Sequence, residues 1–327
     1  METPPPADAS SLTRRFRGWL AWSIAIAALM YLGYSFYIGV DEVSEAIGRF
    51  RWSALAAALG LTIFVNYTLR WAKWHWLLVR LGVRLPLGES ALIFCAGLAM
   101  VLSPFKAGEV LKPYLVRERT GVPILTVVPA LVTERLTDGL AVLIIAAVSV
   151  SKFAGDRAGF VYGTIAVSFL GVAVLMNERL SLWILGGLGR LPLIRRVADR
   201  LEETYRAARL CLGPWPLFVT LAISVVAWGA ECWGYQLIWG GFDREVSLDA
   251  SAFLYAFATA AGGASPGGLG VADGLLVTLP RGLLGLPEGE IAATSMLIRG
   301  ATLWIGVFMG AVALFFVEPL LRRPRAA

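Results

Sequence analysis

The chain has 327 residues, of which 57% are Ala, Val, Ile, Leu, Met, Phe, Trp, Tyr or Cys and 16% are charged. Counting the 35 Gly and leaving out Tyr, the apolar share is about 65%, against about 45–50% apolar and about 25% charged in a soluble domain. That much apolar surface has no place in a chain of this length except in lipid, which excludes an ordinary soluble enzyme; the formal charge of +6 has to be read by position before nucleic acid is considered.

Residues 1–18 read as a disordered cytoplasmic tail ending in Arg14, Arg15 and Arg17. The apolar run that follows is too long for a signal-peptide core and no small-x-small cleavage site comes after it, so an uncleaved first span is expected. Runs able to cross about 30 Å of hydrocarbon as helix lie at 19–39, 52–78, 122–150, 159–176, 214–240 and 290–318. Two shorter runs, 90–103 and 250–264, each end in Ser-Pro. At 1.5 Å per residue they reach only about 21 Å, which predicts half-helices that dip into the membrane and return. The expected fold is all-α: a single transmembrane domain over 19–318 with about six spans and two re-entrant hairpins, followed by a cytoplasmic tail, 319–327.

With the N-terminus in the cytoplasm and both short runs re-entrant, 21 Lys and Arg fall inside and 6 outside, leaving Arg135 and Arg299 within spans. The positive-inside rule requires that asymmetry. Full crossing by both short runs would put the seven Arg of 177–213 outside, so that topology is disfavoured. The positive charge is thus an orientation signal, and nucleic-acid binding is not expected. The loop 177–213, with Arg190, Arg195, Arg196, Arg200, Arg206 and Arg209 among apolar residues, is expected either to lie as an amphipathic helix on the anionic inner leaflet or to be a solvated linker helix.

Ser103-Pro104-Phe105-Lys106-Ala107-Gly108 matches Ser265-Pro266-Gly267-Gly268-Leu269-Gly270 as S-P-x-x-x-G at an offset of 162 residues. Each copy is preceded by a Trp-containing span and followed by a span with an intramembrane Arg, Arg135 or Arg299. The units, about 52–150 and 214–318, run in opposite directions across the membrane. Broken helices at corresponding positions of an inverted repeat point to a binding site at the bilayer midplane, because irregular backbone at that depth must line a cavity or be buried in protein.

The residues that lipid should exclude are candidates for that site. Glu134 and Asp138 lie one turn apart on one face of the 122–150 span, with Arg135 about 100° away. Each costs roughly 2.5–3.5 kcal/mol at mid-helix unless it faces a partner or water. They form either a structural ion-pair network or a ligand or proton site. Arg299 needs an anion: Glu231 or Asp273 as a neutralising partner, or a phosphate, which suits a planar guanidinium. Lys106, Glu109 and Lys112 surround a predicted helix start at Gly108, a favourable place for an anion. The glycines around Pro266 are expected to offer bare backbone N–H groups. Arg70, Lys73 and His75, beside Trp71, Trp74 and Trp76, read as an interfacial aromatic and basic belt.

Conventional catalytic chemistry is not visible. The sequence has no Walker loop and no HExxH; one histidine, His75, with no supporting cluster for zinc; and three cysteines, Cys95, Cys211 and Cys232, which do not indicate a disulfide framework. No cofactor is expected.

Pro104-Phe105-Lys106-Ala107-Gly108-Glu109, Glu134-Arg135-x-x-Asp138, Pro266-Gly267-Gly268-Leu269-Gly270-Val271 and Arg299 together resemble the flippase-like transmembrane family named after lysylphosphatidylglycerol synthase, which includes UPF0104-type membrane proteins. The resemblance covers about residues 20–318 and implies a bacterial inner-membrane protein that moves a polar lipid between leaflets. Two departures stand out: the chain ends at Ala327 without the soluble aminoacyltransferase domain, so lysyl transfer is not expected, and Asp273 stands where Glu is common. An Asn common before the first motif is also absent, Met100 and Val101 standing there. The leading expectation is a non-enzymatic lipid translocase in which Lys106, Arg135, Arg299, Gly267, Gly268 and Gly270 hold a phosphate-bearing head group. Glu109, Glu134, Asp138, Asp273 and Glu231 would balance charge or couple a proton. The alternatives are a membrane-embedded enzyme acting on a lipid phosphate, with Glu134 or Asp138 as base, and an assembly partner in an envelope glycolipid pathway.

Overall fold

The computed structural model describes residues 40–102, 109–150 and 210–321, together with residues 159, 163 and 166 singly. Among these residues there are helices and no strand. The chain enters through α1 (Val40–Arg49), whose Asp41 and Glu42 stand in its first turn and Arg49 in its last, signs that complement the helix dipole. The second helix, α2, runs over Trp52–Arg80 and passes through a π-helical stretch at Leu61–Tyr67. After a short turn come α3 (Leu87–Leu98), drawn out to Leu102 by a 3-10 turn, then α4 (Leu111–Thr120) and α5 (Ile124–Val150). Gly121, left-handed at φ 79°, closes α4 by donating its N–H to the Arg117 carbonyl at 2.7 Å.

The second half repeats this order with α6 (Pro214–Gly241), α7 (Leu248–Ala261), α8 (Val271–Leu284) and α9 (Glu288–Leu321). A π-helical stretch at Gly300–Trp304 interrupts α9. Helix α7 starts where Ser247 Oγ accepts the Ala250 N–H at 3.2 Å. It ends at Ala261 and passes into a 3-10 turn, Gly262–Ala264, which stops where Pro266 holds Ser265 extended, at φ −90° and ψ 153°.

Three helices, α2, α6 and α9, are long and apolar enough to cross a membrane, and they match the expected runs at 52–78, 214–240 and 290–318. At 27 residues α5 matches 122–150, with its charges at the middle. The runs at 19–39 and 159–176, the tails 1–18 and 322–327, and nearly all of the loop 177–213 lie outside the described residues. The short runs form helices Leu87–Leu102 and Leu248–Ala261, which at 1.5 Å per residue fall short of the roughly 30 Å hydrocarbon core.

The packing exchanges partners between halves. Helices α2 and α6 lie antiparallel over their length: Arg51 meets the Gly240 carbonyl, Asn66 Nδ2 donates to Ala227 O at 2.9 Å, Lys73 Nζ lies 2.6 Å from Ser224 Oγ, and Arg80 Nε donates to Leu210 O at 3.0 Å. Asn66 and Ala227 are 161 residues apart, so this contact joins distant parts of the chain. Helix α7 packs on α5, and α3 packs on the C-terminal part of α9, so each short helix leans on the long helix of the other half. The 3-10 turns Ala99–Leu102 and Pro266–Gly268 meet, and Leu102 joins Leu303 and Val307 in a small apolar cluster between them.

Gly310 of α9 lies against the backbone of α3: a Cβ there would stand 2.8 Å from the Cys95 carbonyl and 2.9 Å from Ala99 Cα. Neither atom is a flexible tip. Gly310→Ala is therefore expected to destabilise the protein by about 1–3 kcal/mol, read as a lower unfolding temperature in detergent.

Candidate functional site

The site grows from the face of α5 that the one-turn spacing of Glu134 and Asp138 defines. Both carboxylates are buried. Lys73 of α2, fully buried, places Nζ 2.6 Å from Asp138 Oδ1 and 3.2 Å from Thr137 Oγ1. Arg70, one turn earlier on α2, lies with Nε 3.3 Å from Asp138 Oδ2 and NH2 4.0 Å from Glu134 Oε1. From α4, Lys112 Nζ reaches Glu134 Oε2 at 2.5 Å and stands 4.5 Å from the centre of the Trp74 ring. Arg135 turns back to Glu134 Oε1 at 2.5 Å and to Asp138 Oδ2 at 3.7 Å. Three helices, α2, α4 and α5, are thus joined through groups that lipid alone would expel.

Two ion pairs follow the repeat. Arg135 Nε is 3.0 Å from Glu109 Oε2, and Arg299 Nε is 2.9 Å from Asp273 Oδ1. Glu109 and Asp273 are 164 residues apart, as are Arg135 and Arg299. The same atom of each guanidinium holds a carboxylate from the segment that follows each Ser-Pro. Of the two partners expected for Arg299, Asp273 is the one in contact. Glu231 of α6 instead accepts a hydrogen bond from Tyr255 OH of α7 at 2.7 Å.

The glycine loop departs from expectation. Its amides were expected to be bare, but Gly268 N–H donates to Ser265 O at 3.1 Å and Gly270 N–H to Asp273 Oδ2 at 3.0 Å. Gly270 is exposed. What the glycines supply is a left-handed path, with φ 59° at Gly267, 77° at Gly268 and 81° at Gly270. This path turns the Gly267 carbonyl to accept from Arg299 NH2 at 2.5 Å.

Between these groups lies a cavity of about 100 Å³, lined among others by Arg70, Lys112, Arg135, Glu231, Gly267 and Arg299, room for several waters or a small anion. Beside it, sharing Glu109, Arg135, Trp228, Thr259 and Gly263 as walls, is a cavity of about 750 Å³ whose remaining lining is mostly Leu, Val and Ala from α5 and α7. The π-helical stretches border the smaller cavity. Their irregular backbone is satisfied locally, Tyr67 OH donating to Thr302 O at 2.5 Å.

The expected site residues Glu109, Glu134, Arg135, Asp138, Glu231, Gly267, Gly268, Asp273 and Arg299 meet around these cavities, and Lys106 lies outside the described residues. Arg70 and Lys73 were expected in an interfacial belt and are instead within the ion-pair network; in the belt only Arg80 over Trp76, at 5.0 Å, and partly exposed His75 fit that description. Arg70, Lys73 and Lys112 therefore cease to be loop cations, and the sequence-based expectation loses three of its 21 inside charges, 18 against 6. Sequence reasoning also missed Ser224, Tyr67 and Tyr255. Asn66, Arg70 and Lys73, at i, i+4 and i+7, form one polar stripe that marked them. Among the described residues no three His, Cys, Asp or Glu side chains gather as a metal would require.

The family model of the lysylphosphatidylglycerol synthase TM region matches residues 20–310. Two UPF0104 membrane proteins of Methanothermobacter thermautotrophicus are similar to the chain. One is 23% identical over 321 residues, covering 89% of this chain and 92% of its own. The other is 25% identical over 314 residues, covering 88% and 90%.

Proposed function

Because the chain belongs to the lysylphosphatidylglycerol synthase TM region family of membrane proteins, we propose that it is a translocase moving a polar, phosphate-bearing lipid between the leaflets of a bacterial inner membrane. Both termini face the cytoplasm in this reading, units 52–150 and 214–318 form the inverted repeat, and the basic loop 177–213 rests on the anionic leaflet. The short helices are the first arms of two re-entrant hairpins that enter from opposite faces.

The observation that supports it best is the pair of repeat-related Arg–carboxylate contacts, Arg135 with Glu109 and Arg299 with Asp273, bordering a small polar cavity that opens beside a larger apolar one. A guanidinium that exchanges its carboxylate for a lipid phosphate keeps a charge-assisted hydrogen bond throughout. The exchange frees the segment that carries the carboxylate. Done at Arg135 it loosens one hairpin, and at Arg299 the other, so the head group can pass from one side to the other while the acyl chains stay in the apolar cavity.

The purified protein in phospholipid vesicles, with a fluorescent phospholipid whose outer-leaflet copies are quenched by an impermeant reductant, tests this. Exchange is expected to exceed that in protein-free vesicles for phosphate-bearing lipids and not for a neutral glycolipid. Absence of exchange for every polar lipid contradicts the reading, and a new covalent lipid product that depends on Glu134 replaces it with an enzyme.

A further inference from the structure

Five basic side chains (Arg70, Lys73, Lys112, Arg135, Arg299) and four acidic ones (Glu109, Glu134, Asp138, Asp273) make up the ion pairs around the polar cavity, each acid lying within 4.0 Å of a cation. Glu231 stands apart. It is 4% exposed and lines the same cavity, but its close polar contact is a neutral one, the hydroxyl of Tyr255. The charged and titratable groups within electrostatic reach of it are Tyr67 and Arg70 from α2, Asp138 from α5, its neighbour Cys232 on α6, Tyr255 from α7 and Arg299 from α9. None of the cations among these forms an ion pair with it; Arg70 and Arg299 are turned to Asp138 and Asp273.

A buried carboxylate without a cation is held more cheaply as the neutral acid. The electrostatic balance then depends on that one proton. With Glu231 ionised, the described cluster carries five positive and five negative groups and has no net charge to offer an anion. With Glu231 protonated it has an excess of one positive charge, which a single phosphodiester neutralises.

We infer that Glu231 is a proton-binding site linked to the lipid site, so that the cavity takes up one proton together with each phosphodiester head group. This deepens the translocase reading and rests on it for the lipid class. Tyr255 donates to the carboxylate when it is ionised and lets the site empty of its proton when the lipid leaves. A protein that binds proton and lipid together, and releases them together, draws its direction from the proton gradient across the membrane. The sign follows from linkage: binding that takes up a proton weakens as pH rises, by up to about tenfold per pH unit for one proton.

Titration calorimetry of the detergent-solubilised full chain with short-chain phosphatidylglycerol, repeated in buffers of different ionisation enthalpy, counts the protons directly. The wild type is expected to take up close to one proton per lipid at a pH where Glu231 is ionised in the empty protein. Glu231→Gln is expected to bind the same lipid with no uptake and with an affinity that no longer falls as pH rises. Uptake of no proton by the wild type overturns the inference while leaving the translocase reading intact. Unchanged uptake in Glu231→Gln, or tighter binding of a zwitterionic phosphatidylethanolamine that depends on ionised Glu231, also overturns it, the latter assigning the carboxylate to an ammonium group. Failure of the wild type to bind any phosphodiester lipid at any pH overturns both readings.

Discussion

Arg135→Ala and Arg299→Ala are each expected to slow lipid exchange in vesicles on the order of 10–100-fold, the worth of a lost hydrogen bond to a charged group. The loss has two parts that a second substitution separates. Removing Arg135 deprives a phosphate of its donor and leaves Glu109, 4% exposed, without the guanidinium it faces at 3.0 Å. Arg135→Ala combined with Glu109→Gln removes the stranded charge as well, and is expected to regain stability without regaining exchange. The same holds for Arg299→Ala with Asp273→Asn. Lys at either position keeps the charge but not the planar fork, and is expected to restore exchange only in part. Full exchange by the Arg→Ala variants would confine these pairs to a structural role.

Lys73→Met is expected to produce the largest loss of stability, about 3–5 kcal/mol, as is usual when one partner of a buried ion pair is removed. Lys73 is fully buried, and its ammonium joins Asp138 of α5 to Ser224 of α6 at 2.6 Å each. Without it Asp138 keeps the Ser224 hydroxyl at 3.0 Å and, as cations among the described residues, Arg70 and a distant Arg135 at 3.7 Å. Lys73→Met with Asp138→Leu replaces both charges by apolar groups and is expected to recover more than half of the loss, because a pair removed whole leaves nothing stranded. Thermal unfolding in detergent measures both. If the double variant is no more stable than the single one, the loss comes from packing and not from the stranded carboxylate.

Much of this arrangement was legible because lipid is an unforgiving solvent. Charges and glycines inside an apolar run have few innocent explanations, so Glu134, Arg135, Asp138, Arg299 and the glycines after Pro266 stand out as candidates in the sequence alone. The short apolar runs were legible too, and they form the helices Leu87–Leu102 and Leu248–Ala261. What stayed hidden was at the ends of apolar runs. Arg70 and Lys73 sit among tryptophans near the end of an apolar run, and there a basic residue normally reaches for the headgroups. Their inward direction depends on the helical face they share with Asn66, which hydrogen-bonds across to α6. The glycine loop was misjudged for a different reason: composition shows which amides lack a side chain above them, but not which carbonyl or carboxylate lies below. Asp273, three residues past Gly270, takes one of the very amides expected to bind a ligand.

Native mass spectrometry of the purified protein, with the retained lipid identified by fragmentation, tests the central claim most directly. The wild type is expected to keep one phosphate-bearing lipid per chain, and the Arg135→Ala/Arg299→Ala double variant to lose it. A wild type that holds no lipid or a lipid without phosphate, or a double variant that retains the same one, would contradict a phosphate site between the two arginines.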